Sequence, residues 1–136
     1  MLKPILLVED NPHDLELTLI ALERSQLAND VIVMRDGAEA LDYLFRRGDH
    51  ADRLPGNPAI MMLDLKLPKV DGLEVLKVVR DSAELRSIPI VMLTSSREGP
   101  DLQRAYELNV NAYVVKPVEF KAVSYTHLRA HETDSY

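Results

Sequence analysis

The chain has 136 residues, which is enough for one domain with a buried core and too few for two. Hydrophobic residues make up 46% and charged residues 28%, a composition typical of a soluble globular protein, and the longest apolar runs are too short to cross a membrane. The absence of cysteine excludes disulfides and cysteine-rich zinc sites, and the net charge of −6 argues against a nucleic-acid partner. Since no secretory signal opens the chain, we expect a cytoplasmic protein.

Short apolar runs alternate with segments of helical periodicity. Residues 4–8 are continuously apolar and end in a polar turn, which is typical of a strand buried on both faces. A leucine stripe predicts a helix over 14–26, with Asn11 or Asp14 as its N-cap. A second strand and a second helix are predicted at 31–34 and 38–45.

The second half of the chain repeats this alternation after a long connection. Residues 48–58 have no apolar period and predict a surface loop. The remaining predicted helices are 73–79 and 102–108, and the remaining strands are 59–63, ending at Asp64, 90–93, ending at Thr94, and 112–115, ending at Lys116 and Pro117.

The C-terminal segment changes in character. Residues 118–123 predict the start of a fifth helix, but 124–136 lose the helical apolar stripe. We interpret 1–123 as one domain and 124–136 as a non-native or disordered tail in place of the end of that helix. His127 and His131 have the i, i+4 spacing of a helical metal clamp, but they have no third ligand, so we predict no metal site there.

Five apolar strands separated by helices predict a parallel sheet, because right-handed crossovers place helices on both faces of the sheet. The expected fold class is a three-layer α/β sandwich. In open sheets of this kind, ligands bind beyond the carboxyl ends of the strands. The residues at those ends are therefore the candidates for a functional site.

Acidic, hydroxyl and ammonium groups stand at these strand ends. Crowded carboxylates raise one another's pKa, and a hard divalent cation removes this conflict. Mg²⁺ suits an open site with two or three carboxylates and substrate phosphate oxygens. The groups expected to converge are Glu9 and Asp10 after strand one, Asp64 after strand three, Thr94, Ser95 and Ser96 after strand four, and Lys116 after strand five.

Such a set of groups is suited to phosphoryl transfer. The metal and Lys116 would neutralise charge on the phosphoryl oxygens, while Thr94 and nearby backbone amides would donate hydrogen bonds. Asp64 is left as the nucleophile, and its product would be an aspartyl phosphate that hydrolyses readily. A transient mark of this kind indicates signalling.

The four motifs at the strand ends resemble those of response regulator receiver domains in two-component systems. Each motif alone is a weak signal, but four in the right order make a strong one. The matching segments are Val8-Glu9-Asp10-Asn11, Leu63-Asp64-Leu65-Lys66-Leu67-Pro68 with Asp71-Gly72, Leu93-Thr94-Ser95, and Tyr113-Val114-Val115-Lys116-Pro117.

This resemblance implies a flavodoxin-like fold, with strand order 2-1-3-4-5 and about five helices, and a role for each site residue. Asp64 is the expected phosphoacceptor for a partner histidine kinase, Lys116 pairs with the phosphoryl group, and the bond from Lys116 to Pro117 is expected to be cis. Glu9, Asp10, Asp64 and the carbonyl of Lys66 are the expected Mg²⁺ ligands. Thr94 and Tyr113 are expected to switch the surface of strand four, strand five and helix five.

The long loop and residues 65–69 are similar to single-domain regulators that serve phytochrome kinases. Members of that subgroup often form homodimers through the fifth helix, where this chain has its unusual tail. A regulator of this type is not a classical enzyme, and its signal passes by contact with a downstream protein or by a phosphorelay.

Three alternative functions fit the sequence less well. A small aspartate-nucleophile phosphatase usually has a second Asp two residues after its nucleophile, where this chain has Lys66. A flavodoxin needs a phosphate loop rich in Ser, Thr and Gly after strand one, and Glu9 and Asp10 would repel that phosphate. A module that acts without phosphorylation would lack the acceptor or the lysine, and both are present.

Overall fold

In the computed structural model, residues 2–95 and 99–117 are described, and strands and helices alternate along them. The strands are β1 (Ile5–Val8), β2 (Val31–Met34), β3 (Ile60–Asp64), β4 (Ile90–Thr94) and β5 (Ala112–Val115). The helices are α1 (Pro12–Arg24), α2 (Gly37–Phe45), α3 (Gly72–Asp81) and α4 (Pro100–Glu107). Every strand and helix predicted before residue 118 is present, with ends within two residues of those expected.

The five strands form one parallel sheet in the order β2-β1-β3-β4-β5, which confirms the expected topology. Val8 lies beside Leu63, and Asp64 lies beside Leu93, so β1, β3 and β4 end at nearly the same level. The polar residues that follow these strands therefore share one edge of the sheet.

Apolar layers cover both faces of the sheet, because successive strand residues point to opposite sides. Leu6 packs in a cluster with residues of α2, α3 and α4, whereas Leu7 packs in a second cluster with residues of α1. Both leucines are fully buried. Burial on both faces explains the continuous apolar runs, and it confirms the predicted three-layer sandwich.

Helix α1 begins and ends two residues earlier than predicted, at Pro12 and Arg24. The Asn11 side chain accepts a hydrogen bond from the Asp14 N–H at 3.0 Å, so Asn11 is the N-cap. Proline fits the first turn because it has no N–H that would need a partner. The carboxylate of Asp14, the other candidate cap, is thus available for a different contact.

The loop over 48–58 contains a short 3-10 turn, Gly48–His50, that the sequence pattern did not predict. Arg53 fixes this loop to α2: its guanidinium donates to the carbonyls of Tyr43 at 2.8 Å and of Leu54 and Gly56 at 2.9 Å. The same group lies 4.1 Å from the centre of the Tyr43 ring. One cation therefore satisfies several carbonyls of an otherwise irregular segment.

Residues 96–98 and 118–136 lie outside the described residues. The predicted fifth helix (118–123), the tail (124–136), Ser96, His127 and His131 fall there. Among the helices of the described part of the chain, none combines the length and apolarity needed to span a bilayer.

Gly72 places the start of α3 directly against the end of β3. A Cβ at this position would lie 2.3 Å from the Asp64 carbonyl oxygen and 2.8 Å from that of Leu65. Both neighbours are backbone atoms, which cannot turn aside as a flexible side chain could. The lack of a side chain at residue 72 therefore allows the close contact that holds the segment after Asp64.

We expect Gly72→Ala to lower the free energy of unfolding by on the order of 1 to 3 kcal/mol, because the added methyl group must displace backbone. Urea denaturation measures the change. Lys77→Ala, at an exposed position of the same helix, is the matched control and should change stability by less than about 0.5 kcal/mol. Equal stability of the two variants would contradict the proposed contact.

Candidate functional site

An open cleft of about 500 Å³ lies at the carboxyl ends of β1, β3, β4 and β5. Asp10, Asp64, Thr94, Ser95 and Lys116 line it, so most of the groups predicted at the strand ends meet here. The carboxylate of Glu9 lies close to those of Asp10 and Asp64, and Glu9 is fully buried. Ser96 is outside the described residues.

Three carboxylates form an acidic cluster at the cleft. One oxygen each from Glu9, Asp10 and Asp64 lies within 4.8 Å of the other two. Asp64 is 4% exposed, whereas Asp10 is exposed to solvent. Carboxylate oxygens at this spacing, with one side open to water, fit a hard divalent cation that keeps part of its hydration shell.

Lys116, directly after β5, brings a positive charge into this cluster. Its Nζ lies 2.9 Å from Glu9 Oε1, 3.0 Å from Asp64 Oδ2 and 3.1 Å from Asp14 Oδ2. The lysine side chain is only 14% exposed, and the peptide bond to Pro117 is cis. The ammonium is thus held among three carboxylates that come from β1, α1 and β3.

Backbone amides also contact the acidic groups. The N–H of Lys66 donates to Asp64 Oδ1 at 3.2 Å, and the N–H of Asn11 donates to Glu9 Oε2 at 3.2 Å. The Lys66 ammonium lies 2.8 Å from Asp101 Oδ2 at the start of α4. Lys66 therefore contacts Asp64 of β3 through its backbone and α4 through its side chain.

The surroundings of the site raise the pKa values of both Glu9 and Lys116, for different reasons. Burial raises the pKa of Glu9 from 4.5 to about 7, and Asp64 acts in the same direction while Lys116 opposes it. Burial acts to lower the pKa of Lys116, but the carboxylates of Glu9, Asp64 and Asp14 outweigh it and raise that pKa. Lys116 therefore stays charged, and Glu9 holds a proton up to near neutral pH.

Thr94 and Tyr113 lie at the end of β4 and on β5. Thr94 is 4% exposed and lines the cleft. Tyr113 is half-buried, and its ring meets that of Tyr106 of α4 edge to face, with 5.9 Å between the ring centres. Tyr106 is 48% exposed, so this pair lies at the surface between α4 and β5.

Sequence reasoning missed one member of the site. Asp14 was considered only as a cap for α1, yet its carboxylate contacts the Lys116 ammonium. A signal was present: the first turn of α1 follows β1 by only a few residues, so a carboxylate there lies near the strand ends. The ion pair between Lys66 and Asp101 was also not predicted.

The comparisons with a family model and with solved structures agree on the kind of protein that this chain resembles. The family model of the response regulator receiver domain matches residues 5–125. The structure of the bacteriophytochrome response regulator RtBRR shares 68% identity and a TM-score of 0.88, over 94% of this chain and 77% of that one. The phosphorylated cyanobacterial phytochrome response regulator RcpA shares 36% identity and a TM-score of 0.80, over 97% and 93%.

A third relative is the response regulator Rcp1 from Synechocystis sp., which is 39% identical over 119 residues, or 88% of this chain and 80% of Rcp1. The crystal structure of its Mn²⁺-bound form has a TM-score of 0.78 with 36% identity, over 97% of this chain and 93% of that one. The alignments with these relatives span most of each protein.

We expect the metal-free protein to lose stability as the pH rises from about 4.5 to about 7, because native Glu9 retains its proton to a higher pH than the unfolded chain does. This contribution is fully present below the unfolded pKa and is lost as the pH passes the folded one. Its size is on the order of 1 to 3 kcal/mol. Urea unfolding across this interval, with a chelator present, measures it.

Glu9→Gln, which resembles the protonated side chain, is the control for this effect. The stability of the variant relative to the parent should increase over the same pH interval and level off above it. A difference that does not depend on pH would show that Glu9 does not hold the proton.

Proposed function

The chain belongs to the response regulator receiver family, and from this membership we propose that Asp64 accepts a phosphoryl group from a partner histidine kinase in a Mg²⁺-dependent reaction. Receivers are signalling proteins rather than classical enzymes. Membership in this family also excludes the phosphatase and flavodoxin alternatives. The observation that carries the proposal is the position of Asp64 Oδ2, 3.0 Å from Lys116 Nζ inside an acidic cluster that borders an open cleft.

Asp64 has the contacts that a nucleophile in this cleft needs. Its Oδ1 accepts a hydrogen bond from the Lys66 N–H, and its Oδ2 contacts Lys116, so the carboxylate is held at both oxygens. Glu9 is fully buried and retains a proton to near neutral pH, which makes it the poorer nucleophile. In the proposed step a carboxylate oxygen of Asp64 attacks phosphorus, the bond from phosphorus to the kinase imidazole breaks, and a mixed anhydride forms.

Glu9, Asp10 and Asp64 are the proposed side-chain ligands of Mg²⁺, with the Lys66 carbonyl as a fourth ligand by family resemblance. The ion would supply positive charge for the phosphoryl oxygens. Lys116 supplies a second, permanent charge on the side of Asp64 that it already contacts. The Mn²⁺-bound form of the relative Rcp1 supports the binding of a divalent cation by a protein of this family.

The proposed phosphodonor is a sensor histidine kinase of the phytochrome type. Support comes from the likeness to RtBRR, which is a bacteriophytochrome response regulator, and to RcpA, which is a phytochrome response regulator. The homodimer that the resemblance implies would form through the predicted fifth helix, whose residues lie outside the described part of the chain. The downstream partner is proposed to be a protein or a phosphotransfer domain.

The proposed output is a change in the surface formed by β4, β5 and the fifth helix. Thr94 would move toward the phosphoryl group on Asp64, and Tyr113 would turn inward into the space that Thr94 leaves. In the present structure Tyr113 packs against Tyr106 on the outer side of β5. An inward turn would break that ring contact and thereby alter the surface of α4.

We expect acetyl phosphate with Mg²⁺ to add one phosphoryl group to the purified protein, and we expect Asp64→Asn to abolish the addition, because an amide cannot form the anhydride. Intact-protein mass spectrometry measures the adduct. Asp52→Asn, an equal change at an exposed residue of the long loop, should be phosphorylated like the parent. An adduct on the Asp64→Asn protein would place the acceptor at another residue.

We further expect phosphorylation to separate the rings of Tyr106 and Tyr113. The nuclear Overhauser contacts between their ring protons should be present in the unmodified protein and lost in the phosphorylated one. The Tyr43 and His50 rings, which also meet edge to face, are far along the chain from the switch and serve as the control. Contacts that persist in a fully phosphorylated sample would sink the proposed movement of Tyr113.

A further inference from the structure

Asp14 is a carboxylate partner of Lys116 that stands apart from the acidic cluster. Its Oδ2 accepts a hydrogen bond from the Lys116 Nζ at 3.1 Å. The two residues are 102 positions apart, so the contact joins the start of α1 to the end of β5. Among the described residues, the oxygens close enough to share a cation belong to Glu9, Asp10 and Asp64, and Asp14 is not in that group.

The backbone of Asp14 is fixed on both sides. Its N–H donates to the Asn11 side chain at 3.0 Å, and its carbonyl accepts a hydrogen bond from the Thr18 hydroxyl at 2.8 Å. Thr18 is buried at 1% exposure and therefore anchors this turn of the helix in the protein interior. The Asp14 carboxylate thus projects from a rigid element.

The other two carboxylate partners of Lys116, Glu9 and Asp64, have a second proposed role at the site. Glu9 and Asp64 both belong to the acidic cluster, and Asp64 is also the proposed acceptor. When a cation and a phosphoryl group occupy their oxygens, the attraction of these two carboxylates for the ammonium weakens. A lysine has a flexible four-carbon stem, so an ammonium without a fixed partner would sample many positions.

We propose that Asp14 is the positioning residue of Lys116: it holds the ammonium at the mouth of the cleft, beside Asp64, while the other two carboxylates are engaged. This inference rests on the proposed phosphoryl transfer. Asp14 does not touch the reacting atoms in this scheme and acts only through Lys116. Because the ammonium is already in position, the lysine side chain loses less conformational freedom in the transfer step.

The first test compares phosphorylation rates at saturating Mg²⁺ and acetyl phosphate. Asp14→Asn keeps the shape of the side chain but removes its charge, and the rate constant should fall roughly threefold to tenfold. Glu16→Gln removes the same charge from an exposed position of the same helix and should leave the rate unchanged. The concentration of acetyl phosphate for half-maximal rate should change less than the rate constant itself.

The second test asks whether Asp14 acts through Lys116. In a Lys116→Ala background, Asp14→Asn should cause no further loss of rate, since the group that it positions is gone. If the two substitutions multiply in their effects, Asp14 has an independent role and the inference is overturned. A faster reaction of Asp14→Asn would also overturn it, because Asp14 would then restrain the lysine.

The third test needs no phosphodonor. In ¹⁵N-resolved NMR at saturating Mg²⁺, which engages Glu9 and Asp64, the Lys116 ammonium should exchange its protons slowly in the parent and in Glu16→Gln, and rapidly in Asp14→Asn. If the parent protein is not phosphorylated at all, the proposed function fails and the positioning role fails with it. If the parent reacts but Asp14→Asn matches it in rate and exchange, only the positioning role is overturned.

Discussion

The site depends on one lysine: the ammonium of Lys116 offsets the negative charge of the carboxylates crowded around it. Glu9 is fully buried and Asp64 nearly so, and both lie close to Asp10. Burial and the neighbouring Asp64 disfavour the charged form of Glu9, which is why its pKa rises to about 7. Lys116 offsets part of this cost, and the remaining imbalance favours a divalent cation. The same excess of negative charge would allow a phosphoryl group to bind together with its divalent cation.

The sheet makes this arrangement possible because strand pairing sets the positions of the strand ends, from which these side chains project. β1, β3 and β5 are held by the register of a parallel sheet whose two faces are buried in apolar layers. The backbones of Glu9 and Asp64 therefore cannot move apart without breaking hydrogen bonds of the sheet. The cis bond after Lys116 and the close contact at Gly72 belong to the same rigid frame. A destabilised cluster of charges is thus maintained by the stability of the rest of the domain.

The sequence predicted more of the fold than of the contacts between side chains. Apolar runs and helical spacing depend on local pattern, so the order of strands and helices and the convergence of Glu9, Asp64 and Lys116 could be expected. The contact of Asp14 with Lys116 was missed because an Asp at a helix start is equally suited to capping the helix, although its place near the strand ends was a signal. The contacts of Arg53 and the ion pair of Lys66 with Asp101 were missed because a long charged side chain has many partners within reach.

The surface contacts of α4 are weaker than those that hold the acidic cluster. This difference indicates how a structural change at Asp64 would spread. Helix α4 contacts the segment after β3 through the exposed ion pair of Lys66 and Asp101, and it contacts β5 through Tyr106 and Tyr113. Exposed ion pairs are screened by water, and an edge-to-face ring pair is worth only about 1 kcal/mol. The central strands β1, β3 and β4 are mostly buried and resist displacement. If Asp64 is phosphorylated as proposed, a free-energy change of a few kcal/mol there would act first on these weak contacts beside Tyr113.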